Sequence, residues 1–287
     1  MAVDRLSMAG GLKFMLLLSV AIGCDAASNA ELSDFMTSLW HSDVNNASSV
    51  RVNLQGHASS GSATDHATGP LFSSVNDQYY FSRPTYAALI QLLDNYNHVI
   101  GDAERSNQNE DHEVTLFLEA ISKTTVMQKT QQFLKQQGYV GVSLAEFDTL
   151  LRQIWFEFYP RHGQTRDSCG FEHVFVGETD TSEVIGFHNW IQFHLQEQKG
   201  NLDYRGYIFS KQPRTLGTQF TWLSKTKSLG TFMYGTSPEL DMAMFTVCYL
   251  TRRNQLCSFS VDGHPIQLKT FDITNGGGHH LGTAYVN

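Results

Sequence analysis

At 287 residues, 41% hydrophobic and 17% charged, the chain has the composition of a folded protein with room for a large core. Its net charge of −8 excludes a surface coated in basic patches for nucleic acid. The excess acid is confined to one half: residues 1–160 hold 9 Lys and Arg against 17 Asp and Glu, residues 161–287 hold 11 against 11. The second half can therefore bind a polyanion locally, although long-range steering is poor.

In chain order, Arg5 and Lys13 precede the apolar run Phe14–Cys24, which is followed by Asp25-Ala26-Ala27-Ser28. This is the layout of a secretory signal peptide over residues 1–27, cleaved after Ala26 or Ala27. The run is too short to span the roughly 30 Å of a bilayer core. No other segment is long and apolar enough, so a secreted protein without a transmembrane segment is expected. In an oxidising compartment Cys248 and Cys257 can form a disulfide, leaving Cys169 as a buried thiol or an intermolecular partner. The sequon Asn46-Ala47-Ser48 agrees with a secreted glycoprotein.

Apolar spacing predicts helices over Glu31–Trp40, Pro84–Ile100, Glu113–Gln137 and Ser143–Tyr159, with residues 41–77 irregular. The last of these opens on the capping box Ser143…Glu146 and stops at Pro160. His98, His112, Trp155 and Tyr159 read as core or solvated-face residues. After Pro160 the pattern shortens. Strands are predicted at Phe171–Val176, Tyr204–Phe209, Gln219–Leu223, Thr231–Tyr234, Cys257–Val261, Ile266–Phe271 and Gly282–Val286. Helices are predicted at Phe187–Glu197 and Ser237–Thr251, the second with Ser237 as N-cap and Pro238 at its first position. The fold class is α+β: a mainly helical N-terminal region, 28–160, packed on a strand-rich catalytic region, 161–287.

Chemistry concentrates in Cys169–Glu197. His173 lies on a predicted strand and His188 where a predicted helix begins, fifteen residues apart across a polar turn. Two imidazoles supply an acid and a base near neutral pH, and a helix N-terminus favours an anion beside a neutral histidine. A cation for developing charge could come from Lys225 or Lys227, placed in the turn after Phe220–Leu223. His173 with Glu172 and Glu178, or Gly276-Gly-Gly-His279-His280, could instead bind a divalent metal, although neither has a diagnostic ligand spacing, and the glycine-rich tract reads rather as a flexible loop before the last strand.

The motifs Gly170-Phe-Glu-His-Val-Phe-Val-Gly-Glu178, Gly186-Phe-His-Asn-Trp190, Gly235-Thr-Ser-Pro-Glu239 and Gly282-Thr-Ala-Tyr285 resemble the EndoU family in order and content. Pro84-Thr85-Tyr86 and Leu92-Leu93-Asp94-Asn95-Tyr96 extend the resemblance over nearly the whole mature chain. These are poly(U)-specific endoribonucleases whose catalytic core is shared with a nidoviral uridylate-specific endoribonuclease.

The resemblance implies cleavage of single-stranded RNA 3′ of uridine to a 2′,3′-cyclic phosphate, with manganese stimulation. It places the family's histidines on His173 and His188 and its lysine on Lys227, with Lys225 as the fallback. Thr231 stands where viral relatives have a uracil-contacting serine. Thr283 and Tyr285 match the C-terminal Thr-x-Tyr, after which Val286-Asn287 replaces the usual proline. Transesterification fits His188 as base, His173 as acid and Lys227 on the phosphorane. It makes DNA inert for want of a 2′-OH. Glu172 and Glu178 match acidic family positions and are the candidate manganese ligands. A monomer is expected. Two alternatives remain: a metal-dependent hydrolase built on the His/Glu cluster, and a secreted RNA-binding module without catalysis.

Overall fold

The structure is a computed structural model that describes residues 27–61, 64–141 and 143–287. The signal-peptide expectation, Ala27 apart, lies outside the described residues. The first half comprises α1 (Asn29–Ser42), the paired strands β1 (Arg51–Val52) and β2 (Phe72–Ser74), α2 (Asp77–Tyr80), α3 (Pro84–Leu92), α4 (Gln108–Ser122), α5 (Thr125–Gln136) and α6 (Leu144–Phe156). Helices α1, α4 and α6 each open on a reciprocal capping box: Ser28/Glu31, Asn107/Glu110 and Ser143/Glu146.

Two predicted helices are shorter than their apolar spacing suggested. The one expected to reach Ile100 ends at Leu92, where the polar run Asp94-Asn95-Tyr96-Asn97 begins and Asn97 N–H turns to Glu104 Oε1 at 2.6 Å. The one expected over Glu113–Gln137 is two helices, because the Thr124 hydroxyl accepts from Met127 N–H at 3.3 Å and caps a fresh start.

In the second half, a π-helical turn (Glu172–Val176) leads through β3 (Glu178–Thr179) and β4 (Val184–Ile185) to α7 (Trp190–Gln198). An antiparallel sheet follows, β5 (Leu202–Lys211), β6 (Thr215–Trp222) and β7 (Lys225–Met233), then α8 (Pro238–Thr251). A second antiparallel sheet, of β8 (Leu256–Val261), β9 (His264–Asn275) and β10 (Gly278–Val286), completes the chain. The sheets are tied where Thr231 Oγ1 on β7 donates to the Val286 carbonyl on β10 at 2.6 Å.

Three local expectations are corrected here. Phe171–Val176 is not a strand. All five residues of Glu172–Val176 are buried, and such a short, continuously buried run has no periodicity to separate strand from helix. Lys225 and Lys227 are on β7 rather than in a turn, because Leu223 and Ser224 alone, both at positive φ (50° and 65°), reverse the chain. The glycine-rich tract is not a loose loop: Gly276 and Gly277 (φ 58° and 82°) form the tight turn of the β9–β10 hairpin.

One hydrophobic cluster draws on both halves, from Leu39, Phe117 and Trp155 to Phe171, Trp190 and Phe245. Trp155 Nε1–H donates to Thr246 Oγ1 on α8 at 2.9 Å, and Tyr159 O–H donates to the Leu281 carbonyl on β10 at 3.0 Å. A disulfide joins Cys248 on α8 to Cys257 on β8, and Cys169 is a buried free thiol. Asn46 of the sequon is half-buried, its amide donating to the Asp43 carbonyl. Among the described residues no helix is long and apolar enough to cross a membrane.

Asp43 is 2% exposed and accepts from Ser237 N–H, at the N-cap of α8, at 3.1 Å. Burial, then Glu239, raises its pKa to about 7. The folded state keeps this proton that the unfolded chain releases near about pH 4, so the stability it contributes is lost as pH rises through that window. Asp43→Asn keeps an acceptor for Ser237 N–H. The variant is expected to flatten the fall in Tm between about pH 4 and 7, and to melt no lower than the parent at pH 8 by calorimetry. A lower Tm at pH 8 would contradict this account.

Candidate active site

The site begins with how the π-helical turn ends. Gly177, at φ 95°, donates to the Glu172 carbonyl at 2.8 Å and closes the turn. The carbonyls of His173 and Val174 are then taken by Phe187 N–H (2.8 Å) and His188 N–H (2.7 Å). This clamp fixes the backbones of the two histidines together. Gly186 permits it, since a Cβ there would meet the His173 carbonyl oxygen at 2.0 Å and its φ is 62°. Asn189 then caps α7, accepting from the backbone of Ile191 and Gln192, so His188 sits just before the helix rather than in it.

The rings of His173 and His188 lie 6.3 Å apart, centroid to centroid, and both line an open pocket of about 410 Å³. Lys227, Thr231, Thr283 and Tyr285 line the same pocket, joined by Phe209, Leu229 and the chain end. Lys225 is elsewhere, its ammonium donating to the Asp180 carbonyl. Of the two lysines the sequence left open, only Lys227 enters the pocket.

Each histidine is anchored through Nδ1, leaving Nε2 for chemistry. His188 Nδ1 faces the Thr231 carbonyl at 2.9 Å. A carbonyl only accepts, so Nδ1 carries the proton and neutral His188 presents a lone pair at Nε2. His173 Nδ1 instead meets Glu178 Oε2, which Arg161 Nε approaches at 3.1 Å. Backed by a carboxylate, His173 is the better holder of a second proton, at Nε2.

Burial lowers both histidine pKa values well below the usual range, helped by Arg161 and Lys227 at His173 and by Lys227 and His173 at His188. Burial also raises Glu178 to about 7 against the opposing pull of Arg161, and lowers Lys227 to about 8 against that of Glu183 and Glu178. Lys227 is still mainly a cation at neutral pH.

Glu172 and Glu178 do not fit a manganese site. Glu178 Oε2 is already engaged by a guanidinium and an imidazole. Glu172 is wholly buried, and burial, then Glu178 and Glu104, raises its pKa well above the usual carboxylate range, which opposes the charged form a metal would need. Among the described residues no group of three or more His, Cys, Asp and Glu side chains is placed to hold a metal ion. His279 and His280 are likewise spoken for, by Asp272 at 2.7 Å and by the Gln153 carbonyl at 3.1 Å.

Arg161 escaped the sequence reading. Besides Glu178 it reaches the Gly282 carbonyl and the Tyr159 hydroxyl at 2.8 and 2.9 Å, linking the His173 support to β10. It follows Pro160 in a segment with no motif, and no spacing rule singles it out.

Fold and site together are those of an endoribonuclease. A family model described as Endoribonuclease XendoU matches residues 31–286. Uridylate-specific endoribonuclease D of Xenopus laevis is 38% identical over 275 residues, covering 91% of this chain and 90% of the relative. Uridylate-specific endoribonuclease C of Danio rerio is 38% identical over 300 residues, covering 97% and 96%. The solved structure of XendoU, described as a splicing-independent snoRNA-processing endoribonuclease, matches with a TM-score of 0.76 at 35% identity, covering 91% of this chain and 97% of that one. The chain belongs to the XendoU family of endoribonucleases, the EndoU family its motifs resemble.

Gly186→Ala tests the backbone clamp. The added methyl has no space beside the His173 carbonyl, and the histidines must separate. Since an error of about 1 Å can cost about 100-fold in rate, kcat is expected to fall by about that factor while Tm drops modestly. A fully active Gly186→Ala would mean that the clamp does not set the site.

Proposed function

We propose that the chain is a secreted, uridylate-specific endoribonuclease that cuts single-stranded RNA 3′ of uridine and leaves a 2′,3′-cyclic phosphate. The observation that carries this reading is the pair of Nδ1-anchored histidines with Nε2 left over a pocket that also admits Lys227. Neutral His188 takes the proton of the uridine 2′-OH at Nε2, and the 2′ oxygen attacks the adjacent phosphorus. Lys227 neutralises charge on the phosphorane, and His173, supported by Glu178 and Arg161, protonates the departing 5′ oxygen. The proton count balances: one enters at His188 and one leaves from His173.

The choice of uridine follows from how Thr231 is bonded. Its hydroxyl already donates to the Val286 carbonyl, so toward a base it can only accept. Uracil offers a donor at N3, cytosine an acceptor. Tyr285, stacked on His188 at 5.5 Å, supplies an aromatic wall for the sugar or base. This chemistry assigns manganese no step. Secretion rests on the N-terminal layout, supported by the disulfide. Protein exported from expressing cells should begin at Ala27 or Ser28, as read by N-terminal sequencing.

The direct test uses a short RNA with a single uridine and copies carrying 2′-deoxyuridine or cytidine there. Each is incubated with manganese or EDTA, with products identified by mass. The parent should yield a cyclic phosphate from the ribose substrate only, with cytidine at least about tenfold slower, and His188→Ala should be inactive. Cleavage of the deoxy copy would overturn the mechanism. No cleavage at all would favour a binding module.

The pH profile follows from the site. His188 must be neutral, and its depressed pKa puts the acid limb below pH 6.5. Rising pH strips the proton shared in the His173–Glu178 pair and then the Lys227 charge, so the alkaline limb should fall at about 7 to 8. A profile still rising above pH 9 would exclude Lys227 as the required cation.

A further inference from the structure

The pocket does not stop at Tyr285. In the β9–β10 ladder Tyr285 pairs with Lys269 and Thr283 with Phe271, so all four side chains share one face. The two from β10 line the pocket, and the two from β9 extend the same face beyond it. Phe271 is 38% exposed, an unusual state for a phenylalanine on a sheet face. Its ring continues a stack: His188 lies 5.5 Å from Tyr285, and Tyr285 lies 6.5 Å from Phe271, with interplanar angles of 25° and 23°. Lys269 Nζ sits 4.9 Å from the Phe271 centroid, and Leu256, opposite Lys269 on β8, is 40% exposed on this same face.

Among the paired strand residues on this face the charged side chain is Lys269, in a chain that is acidic overall. Asp272, the carboxylate next to Phe271 in sequence, projects to the opposite face by strand alternation. There it is occupied by the Tyr249 hydroxyl, His279 and Arg253. Asp272 is therefore not the partner of Lys269. An exposed aromatic ring beside an ammonium is the arrangement that holds one nucleotide of a single strand, the base stacking on the ring and the phosphate meeting the cation.

We infer that Phe271 and Lys269 form a further nucleotide subsite, binding the base and phosphate of a nucleotide that flanks the two sharing the scissile phosphate. This rests on the endoribonuclease reading of the pocket, with which the subsite is continuous through Tyr285. The platform reads no base edge, so it raises affinity for longer strands without adding sequence preference.

The test compares the dinucleotide UpA with strands extended by two adenosines at the 5′ or the 3′ end, using the parent, Phe271→Ala and Lys269→Ala. For the parent, extension at one end should lower KM by roughly tenfold, the scale of one stacked base. Phe271→Ala should abolish that gain while cutting UpA within about twofold of the parent, which also shows that the variant is folded. Lys269→Ala should reduce the slope of log affinity against log salt by about 0.7, the value for one phosphate of a single strand. Binding of a fluorescein-labelled, non-cleavable 2′-deoxyuridine copy of the longer strand, read by anisotropy, separates the two readings. If the parent fails to cut UpA, the proposed reaction is wrong, and loss of affinity in Phe271→Ala still supports the subsite. An extension effect unchanged in Phe271→Ala, or absent from the parent, would overturn it.

Discussion

Two backbone hydrogen bonds carry the rest of the site: Phe187 N–H to the His173 carbonyl and His188 N–H to the Val174 carbonyl. They exist because a helix end leaves carbonyls without partners and a buried carbonyl must find one. The π-helical turn stops at Gly177, and the returning chain supplies what is missing. That return needs a residue with no Cβ at Gly186 and positive φ at both Gly186 (62°) and Phe187 (67°). A non-glycine residue at positive φ costs about 1 kcal/mol or more. Phe187 offsets this by packing against Phe220 and Trp222, at 5.2 and 5.0 Å between centroids. The geometry of the candidate site is thus set by main-chain bonding and secured by an aromatic core.

Electrostatics are layered on that frame. Burial strips water from His173, Glu178 and Arg161, and an ion pair taken out of water gains little net stability. Its value lies in direction. Arg161 is held by the Gly282 carbonyl and the Ser168 and Tyr159 hydroxyls, so Glu178 faces a cation on one side and an imidazole on the other. The carboxylate can orient His173 and favour its protonated form without gathering a metal. Lys227 meets the opposite pressure: burial weakens its charge, while two glutamates preserve enough of it for neutral pH.

Much of this was legible in the sequence where local rules govern. Ser143…Glu146 announced α6, and Ser237-Pro238 announced α8, because capping needs only residues a few positions apart. The spacing of His173 and His188 across a turn also points to their meeting, although His173 lies on a π-helical turn and not on a strand. The run Phe171–Val176 looked like a strand because its flanks hide the cue that matters: Gly170 has only 2.8 Å to the Leu281 carbonyl for any Cβ, and this close approach to β10 is a tertiary fact. Arg161 was invisible for the same reason. Lys225 and Lys227 were misplaced by the length of one turn, since Leu and Ser are uncommon at two consecutive positive φ positions.

The Thr231 hydroxyl joins the two sheets and the proposed choice of base in one bond. By donating to Val286 it holds β7 against β10, and that same act removes its proton from the pocket. The backbone carbonyl of the same residue fixes the tautomer of His188. One residue of β7 therefore bears on sheet packing, on the state of the proposed base and on which edge of a pyrimidine is welcome. A threonine keeps all three functions as a serine would, because the donor and both acceptors are unchanged by the methyl group. The methyl adds apolar contact at a site only 4% exposed and restricts χ1, which favours keeping the hydroxyl aimed at Val286.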